Sequence, residues 1–153
     1  MTRLAVLVLA AVALGGCGGS DAPDEDPGEF ATTLVEELDH GRTAQAWDSL
    51  HPRHQEAVPR DRYVSCERRD PIDGDVTGVQ VTSVREEPWT IPGEDGDVDS
   101  TAVTLRLTLE MPDAQPDTFD LTVHLFPVDG RWTWVIGPTD YRSYAGGSCP
   151  AQG

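Results

Sequence analysis

Three groupings of side chains in this sequence have the types and spacing that chemistry would need. His51-Pro52-Arg53-His54 sets two imidazoles three residues apart, close enough on one turn to share a metal ion. A third ligand is not apparent, and the nearest acids, Asp48 and Glu56, read equally well as solvated helix residues. The pair is therefore expected to be a mildly pH-sensitive surface cluster rather than a metal centre. Asp95, Asp97 and Asp99 alternate as in a calcium loop, yet Ser100 stands where glycine is needed and Arg106 where the bidentate glutamate belongs. That stretch reads as a solvated loop between strands, open to weak occupancy at extracellular calcium levels. Trp47, Tyr63, Trp89, Trp132 and Trp134 are numerous for a small domain, and they read either as core filling or as the lining of a pocket for an apolar small molecule. His124 and Tyr141 could add polar contacts there, but neither has a sequence partner that marks it as catalytic. After Cys17 the chain carries no Ser-His-Asp signature, nucleophile elbow, glycine-rich phosphate loop or CxxC. No catalytic residue, cofactor or metal is assigned.

The elements that must position these residues follow from periodicity. Asp26 reads as an N-cap, Pro27 as the first helical residue and Glu29 as the return of a capping box. Phe30, Leu34 and Leu38, with Ala31 and Val35 alongside, make one buried helical face. Gly41 suits the left-handed end of that helix, and Thr43 can cap a second, short one carrying Ala46, Trp47 and Leu50. Pro52 and Pro59 divide the next stretch into two helical pieces, with Tyr63, Val64 and Cys66 on the last. After "DPIDGD" the period changes to two, and every later element reads as strand. The first strand runs from Val76 to about Glu86, with a slip between Val81 and Val84 that predicts a bulge near Thr82-Ser83 and with Trp89 and Ile91 as an edge extension. Val103, Leu105, Leu107, Leu109 and Met111 share one face of the second strand, opposite Thr104, Arg106, Thr108 and Glu110. Phe119, Leu121, Val123 and Leu125 point inward on the third, with Asp120, Thr122 and His124 outward. Asp129-Gly130 makes a tight turn into Trp132, Trp134 and Ile136. Helices first and strands afterwards predict one α+β domain over residues 29–150.

The start of the chain is of another kind. Arg3 precedes an apolar run from Leu4 to Leu14, too short to span a bilayer, which is the pattern of a secretory signal. Leu14-Gly15-Gly16-Cys17 resembles the lipobox of bacterial lipoproteins. The resemblance implies a signal peptide over residues 1–16 and a mature chain whose Cys17 thiol carries diacylglycerol, with palmitate-type acylation of its amine in many species. An ordinary cleaved signal and a buried core cysteine are the alternatives. Each buried methylene contributes about 0.8 kcal/mol, so a multiply acylated cysteine would hold the chain at a cell membrane, facing outward, without a spanning helix. Residues 17–28, rich in Gly, Asp and Pro, read as a flexible acidic tether. If Cys17 takes lipid, Cys66 and Cys149 remain as an even pair in an oxidising compartment. A disulfide is then expected, with two free thiols or a redox pair as the competing readings. The net charge of −16, with no lysine in the chain, makes nucleic acid an improbable partner and lets the domain stand off anionic headgroups.

The segments "FATTLVEELDHGRTAQAWDSL" and "VDGRWTWVIG" resemble the opening helix pair and final hairpin of the nuclear transport factor 2-like superfamily. That resemblance implies helices packed into a strongly curved, mainly antiparallel sheet, with cystatin-like domains as the nearest alternative. The superfamily contains isomerases, dehydratases and cyclases that work in a conical cavity, and also members without catalysis, so the fold sets no function. The expectation is a noncatalytic cell-envelope lipoprotein that binds an apolar small molecule or docks on an envelope partner. A small-molecule isomerase, dehydratase or hydrolase acting in the same cavity is the alternative. Dimerisation through the outer sheet face bearing Arg106, Glu110 and His124 is a further expectation.

Overall fold

The computed structural model of the protein describes residues 23–69, 74–111 and 115–151. Cys17, the signal segment and the first half of the tether lie outside the described residues. The order of elements is α1 (Pro27–Asp39), α2 (Thr43–Asp48), α3 (Pro52–Ala57), α4 (Arg60–Glu67), β1 (Asp75–Trp89), β2 (Val98–Glu110), β3 (Asp117–Val128), β4 (Arg131–Trp134) and α5 (Pro138–Ala145). The chain is α+β: helices pack on a curved, four-stranded antiparallel sheet whose strands lie in sequence order.

Local chemistry explains the helix ends. Asp26 Oδ1 accepts from the amides of Gly28 and Glu29 at 2.8 and 3.1 Å, so two donors at the start of α1 are satisfied by one carboxylate. Gly41 takes φ +67°, the left-handed conformation that ends the helix at low cost for glycine. Thr43 does not cap α2, contrary to expectation. It is itself the first helical residue, Arg42 occupies the cap position without a side-chain bond, and the buried Thr43 hydroxyl has no partner.

β1 is longer than its apolar alternation and reaches Trp89. It tolerates Pro88 because it is an edge strand. The pairing of β1 with β2 shifts register between Val81 and Ser83, the site where the alternation slips, and again between Val76 and Gly78. Across β2, Val103, Leu105 and Leu107 are buried beneath Ala31, Leu34 and Val35 of α1, joined by Leu125 and Trp134.

The inward face of β3 is covered only in part. Phe119 and Leu121 remain 43% and 38% exposed, where burial was expected. The reason is length: thirteen residues make about 20 Å of helix but about 44 Å of strand, so α1 cannot roof the whole sheet. β4 is also short and pairs only with Leu125–Val128. Residues 117–124 of β3 therefore have β2 on one side and no described strand on the other.

The last element corrects the reading that only strands follow Val76. α5 opens with Pro138 in its first turn, and Tyr144 enters the core beside Tyr63, ring centroids 5.6 Å apart. Cys66 and Cys149 form a disulfide, Cα atoms 5.4 Å apart, that ties α4 to the segment after α5. Among the described residues no helix is long and apolar enough to cross a membrane.

Candidate functional site

The aromatic residues singled out from the sequence do not share one cavity. Tyr63 and Trp134 line a cleft of about 450 Å³ between the end of α1, α4, β4 and α5, with Thr43, Glu67 and Tyr144 beside them. The Trp134 indole donates to the Ala46 carbonyl at 2.8 Å, which fixes β4 against α2. The Tyr144 hydroxyl donates to Glu67 Oε1. Burial, reinforced by Glu67, holds both tyrosine hydroxyls far above their usual range, so they stay protonated as donors. The unpartnered Thr43 hydroxyl belongs to the same wall.

Trp132 lines a second cleft, about 420 Å³, with Phe30, Glu37, Asp48 and Arg131. Its indole donates to the Glu25 carbonyl at 2.7 Å and so pins the end of the tether to the hairpin. Burial raises the Glu37 carboxyl above its ordinary value, with Arg42 opposing. Trp47 lines neither cleft: its indole donates to Val58 O at 2.8 Å and closes the link between α3 and α4.

The histidine pair is not a surface cluster. His54 is 0% exposed, and both of its ring nitrogens are engaged by main chain. Nδ1 accepts from the Ile136 amide at 3.0 Å, so Nε2 carries the proton and donates to the Pro92 carbonyl, also at 3.0 Å. Tyr141 of α5 stacks on the ring at 4.5 Å. One imidazole thus joins α3, the β1–β2 turn, the segment after β4 and α5. Burial pushes its pKa down to about 4, with the Pro92 bond opposing and His51 assisting. His51 is also lowered, chiefly by burial, while Glu94 opposes. With both nitrogens of His54 committed, the pair has no bidentate lone-pair set for a metal.

The face of the sheet away from the helices holds the arrangement that sequence reasoning missed. Ser100 Oγ lies 3.3 Å from His124 Nδ1, and His124 Nε2 lies 3.7 Å from Glu87 Oε1. The residue types are those of a hydrolytic relay, but the access is not. Ser100 is 1% exposed and its hydroxyl donates to the Glu87 carbonyl at 2.8 Å. The Trp89 ring lies over His124, centroids 3.6 Å apart and planes 15° from parallel. A nucleophile must reach substrate, and this one is committed and covered. Burial lowers the His124 pKa, with Glu87 opposing. Trp89, Ser100 and His124 are far apart in sequence. Their meeting depends on the β1–β2–β3 register, which pairs Glu87 with Ser100 and Ala102 with His124.

Asp95 and Asp97 lie in the exposed turn between β1 and β2, where Asp97 accepts from the Thr90 hydroxyl; Asp99 follows within β2. No family model matches the chain, and a search of curated proteins returns no match.

Proposed function

We propose that the chain is a noncatalytic cell-envelope lipoprotein. Cys17 carries the lipid on the extracytoplasmic side, and a nuclear transport factor 2-like or cystatin-like roll docks on another envelope protein. The open edge of β3 carries this reading. Residues 117–124 leave one row of main-chain donors and acceptors without a strand among the described residues, and Phe119 and Leu121 stand exposed beside that row. An extended segment of a partner would gain main-chain pairing from the edge and apolar contact from the two side chains. A chain at −16 favours a partner segment with basic residues.

The space between helices and sheet favours docking over an apolar ligand, because Val103, Leu105, Leu125 and Ala31 fill it. A second reading draws on the Tyr63–Trp134 cleft. There the Tyr144–Glu67 bond and the unpartnered Thr43 hydroxyl would suit a small polar molecule, and an isomerase, dehydratase or hydrolase would have to use them. For dimerisation through the outer face, Arg106 is already held by Asp120 at 2.9 and 3.1 Å, and His124 lies beneath Trp89. These groups are already partnered within the chain and leave a dimer through that face few free charges to pair.

Photo-cross-linking tests the docking reading. A benzophenone side chain at Phe119, in the full chain in its native membranes, should give one discrete adduct that Leu121→Lys abolishes. No adduct, or the same adduct from Glu56 on α3, would overturn the proposal. An adduct of doubled mass would replace the partner with a second copy.

A further inference from the structure

We propose that Trp89 is the platform of a binding site for a neutral saccharide on the face of the sheet away from the helices, independent of docking at the β3 edge. Three of the four tryptophans are structural: Trp47, Trp132 and Trp134 each donate the indole N–H to a main-chain carbonyl at 2.7 to 2.8 Å. Trp89 is different. It belongs to no part of the hydrophobic core, is partly exposed, and among the described residues nothing accepts from its indole nitrogen.

The ring is nevertheless held in place. One face stacks on His124, which is itself buried and fixed by Ser100 Oγ at 3.3 Å. No other described ring stacks on Trp89. A rigid indole with one face free of any described ring and with an unused donor at its edge loses little freedom when a ligand settles on it.

The surroundings select the ligand. Arg85 pairs with Glu87 through two bonds of 2.8 and 3.3 Å, and Arg106 pairs with Asp120 in the same fork geometry. These four charges cancel, so the middle of this face is neutral on a chain of net charge −16. Between the pairs stand hydroxyls: Thr82 donates to Thr104 O at 3.1 Å, and Thr104 and Thr122 share a bond of 3.1 Å. A charged ligand gains no net attraction here. A wholly apolar one would desolvate these hydroxyls and the indole donor without replacing their hydrogen bonds. A pyranose with equatorial substituents meets both demands. Its flat C–H face covers the electron-rich face of the indole, and its rim of hydroxyls can accept from Trp89 Nε1 and exchange bonds with threonine, Arg85 and Glu87.

The test is an NMR titration of the full chain, ¹⁵N-labelled and held in detergent, with cellotetraose and tetra-N-acetylchitotetraose as neutral β-1,4-linked probes. Among the four indole N–H resonances, that of Trp89 should move and saturate in the millimolar range. Trp89→Phe keeps a ring but no donor and should weaken binding several-fold. Trp89→Ala should weaken it about tenfold or more, while Trp132→Phe leaves it unchanged. The three remaining indole resonances report that each Trp89 variant is folded. A Trp89 resonance that responds to neither probe would overturn the proposal, as would Trp89→Ala binding as well as the parent.

Discussion

Replacing His54 with glutamine should flatten the acid limb of the stability curve. In the folded chain the imidazole is neutral, wedged between the Ile136 amide and the Pro92 carbonyl, with a pKa pushed down to about 4 from 6.5. The unfolded chain therefore binds more protons between those two values, and stability rises with pH across that window. Read in the other direction, the stability is present above about pH 6.5 and is lost as pH falls toward 4. The full difference corresponds to about 3 kcal/mol, of which about 2 kcal/mol disappears between pH 7 and pH 5. Glutamine has an amide nitrogen that donates and an oxygen that accepts, so it can hold both main-chain partners without a charge change. Urea unfolding followed by tryptophan fluorescence at pH 7 and pH 5 measures the difference in each protein. The parent should lose about 2 kcal/mol more than the variant, over and above what His51 and His124 lose in both. Equal losses would refute the assignment of His54 as a buried neutral staple. So would an NMR titration in which the His54 ring of the folded chain protonates near pH 6.5.

Other consequences are independent of that one. Replacing Cys66 and Cys149 by serine should cost about 4.5 kcal/mol in the chain-entropy model for partners 83 residues apart, measured by urea unfolding; a loss under 1 kcal/mol would mean the bridge constrains little. Thr43→Val removes a buried hydroxyl that has no partner while keeping the branched shape. It should stabilise the domain by about 1 kcal/mol and raise Tm by a few degrees in calorimetry, and a lower Tm would mean the hydroxyl is satisfied in solution. Mass spectrometry of the protein extracted from its own membranes should find an amino-terminal peptide that begins at lipid-modified Cys17, and Cys17→Ser should abolish that modification.

The four helices before the sheet and the strands of the sheet were legible because their cues are local. Asp26-Pro27 and Gly41 mark both ends of α1, and the slip between Val81 and Val84 marks the bulge. α5 was not legible by the same reasoning, because only two tyrosines carry its buried face. Its signals were Pro138 and the three-residue spacing of Tyr141 and Tyr144. Partner identity was the harder problem. His54 is surrounded by polar and charged neighbours in sequence, yet the Pro92 turn and the segment after β4 close over it. Trp89 and His124 are 35 positions apart and meet only because β1, β2 and β3 pair in one register. Alternation likewise named the inward faces of β3 without telling how far a helix of thirteen residues would reach.

Docking at the β3 edge is tested most directly by hydrogen exchange. The amides of residues 117–124 should be compared between native membranes and the purified full chain. In the purified chain, alternate amides on the open side should exchange rapidly, because no described strand pairs with them. In membranes the same amides should slow markedly while those of α3 are unchanged. Equal exchange in both settings would contradict docking at this edge.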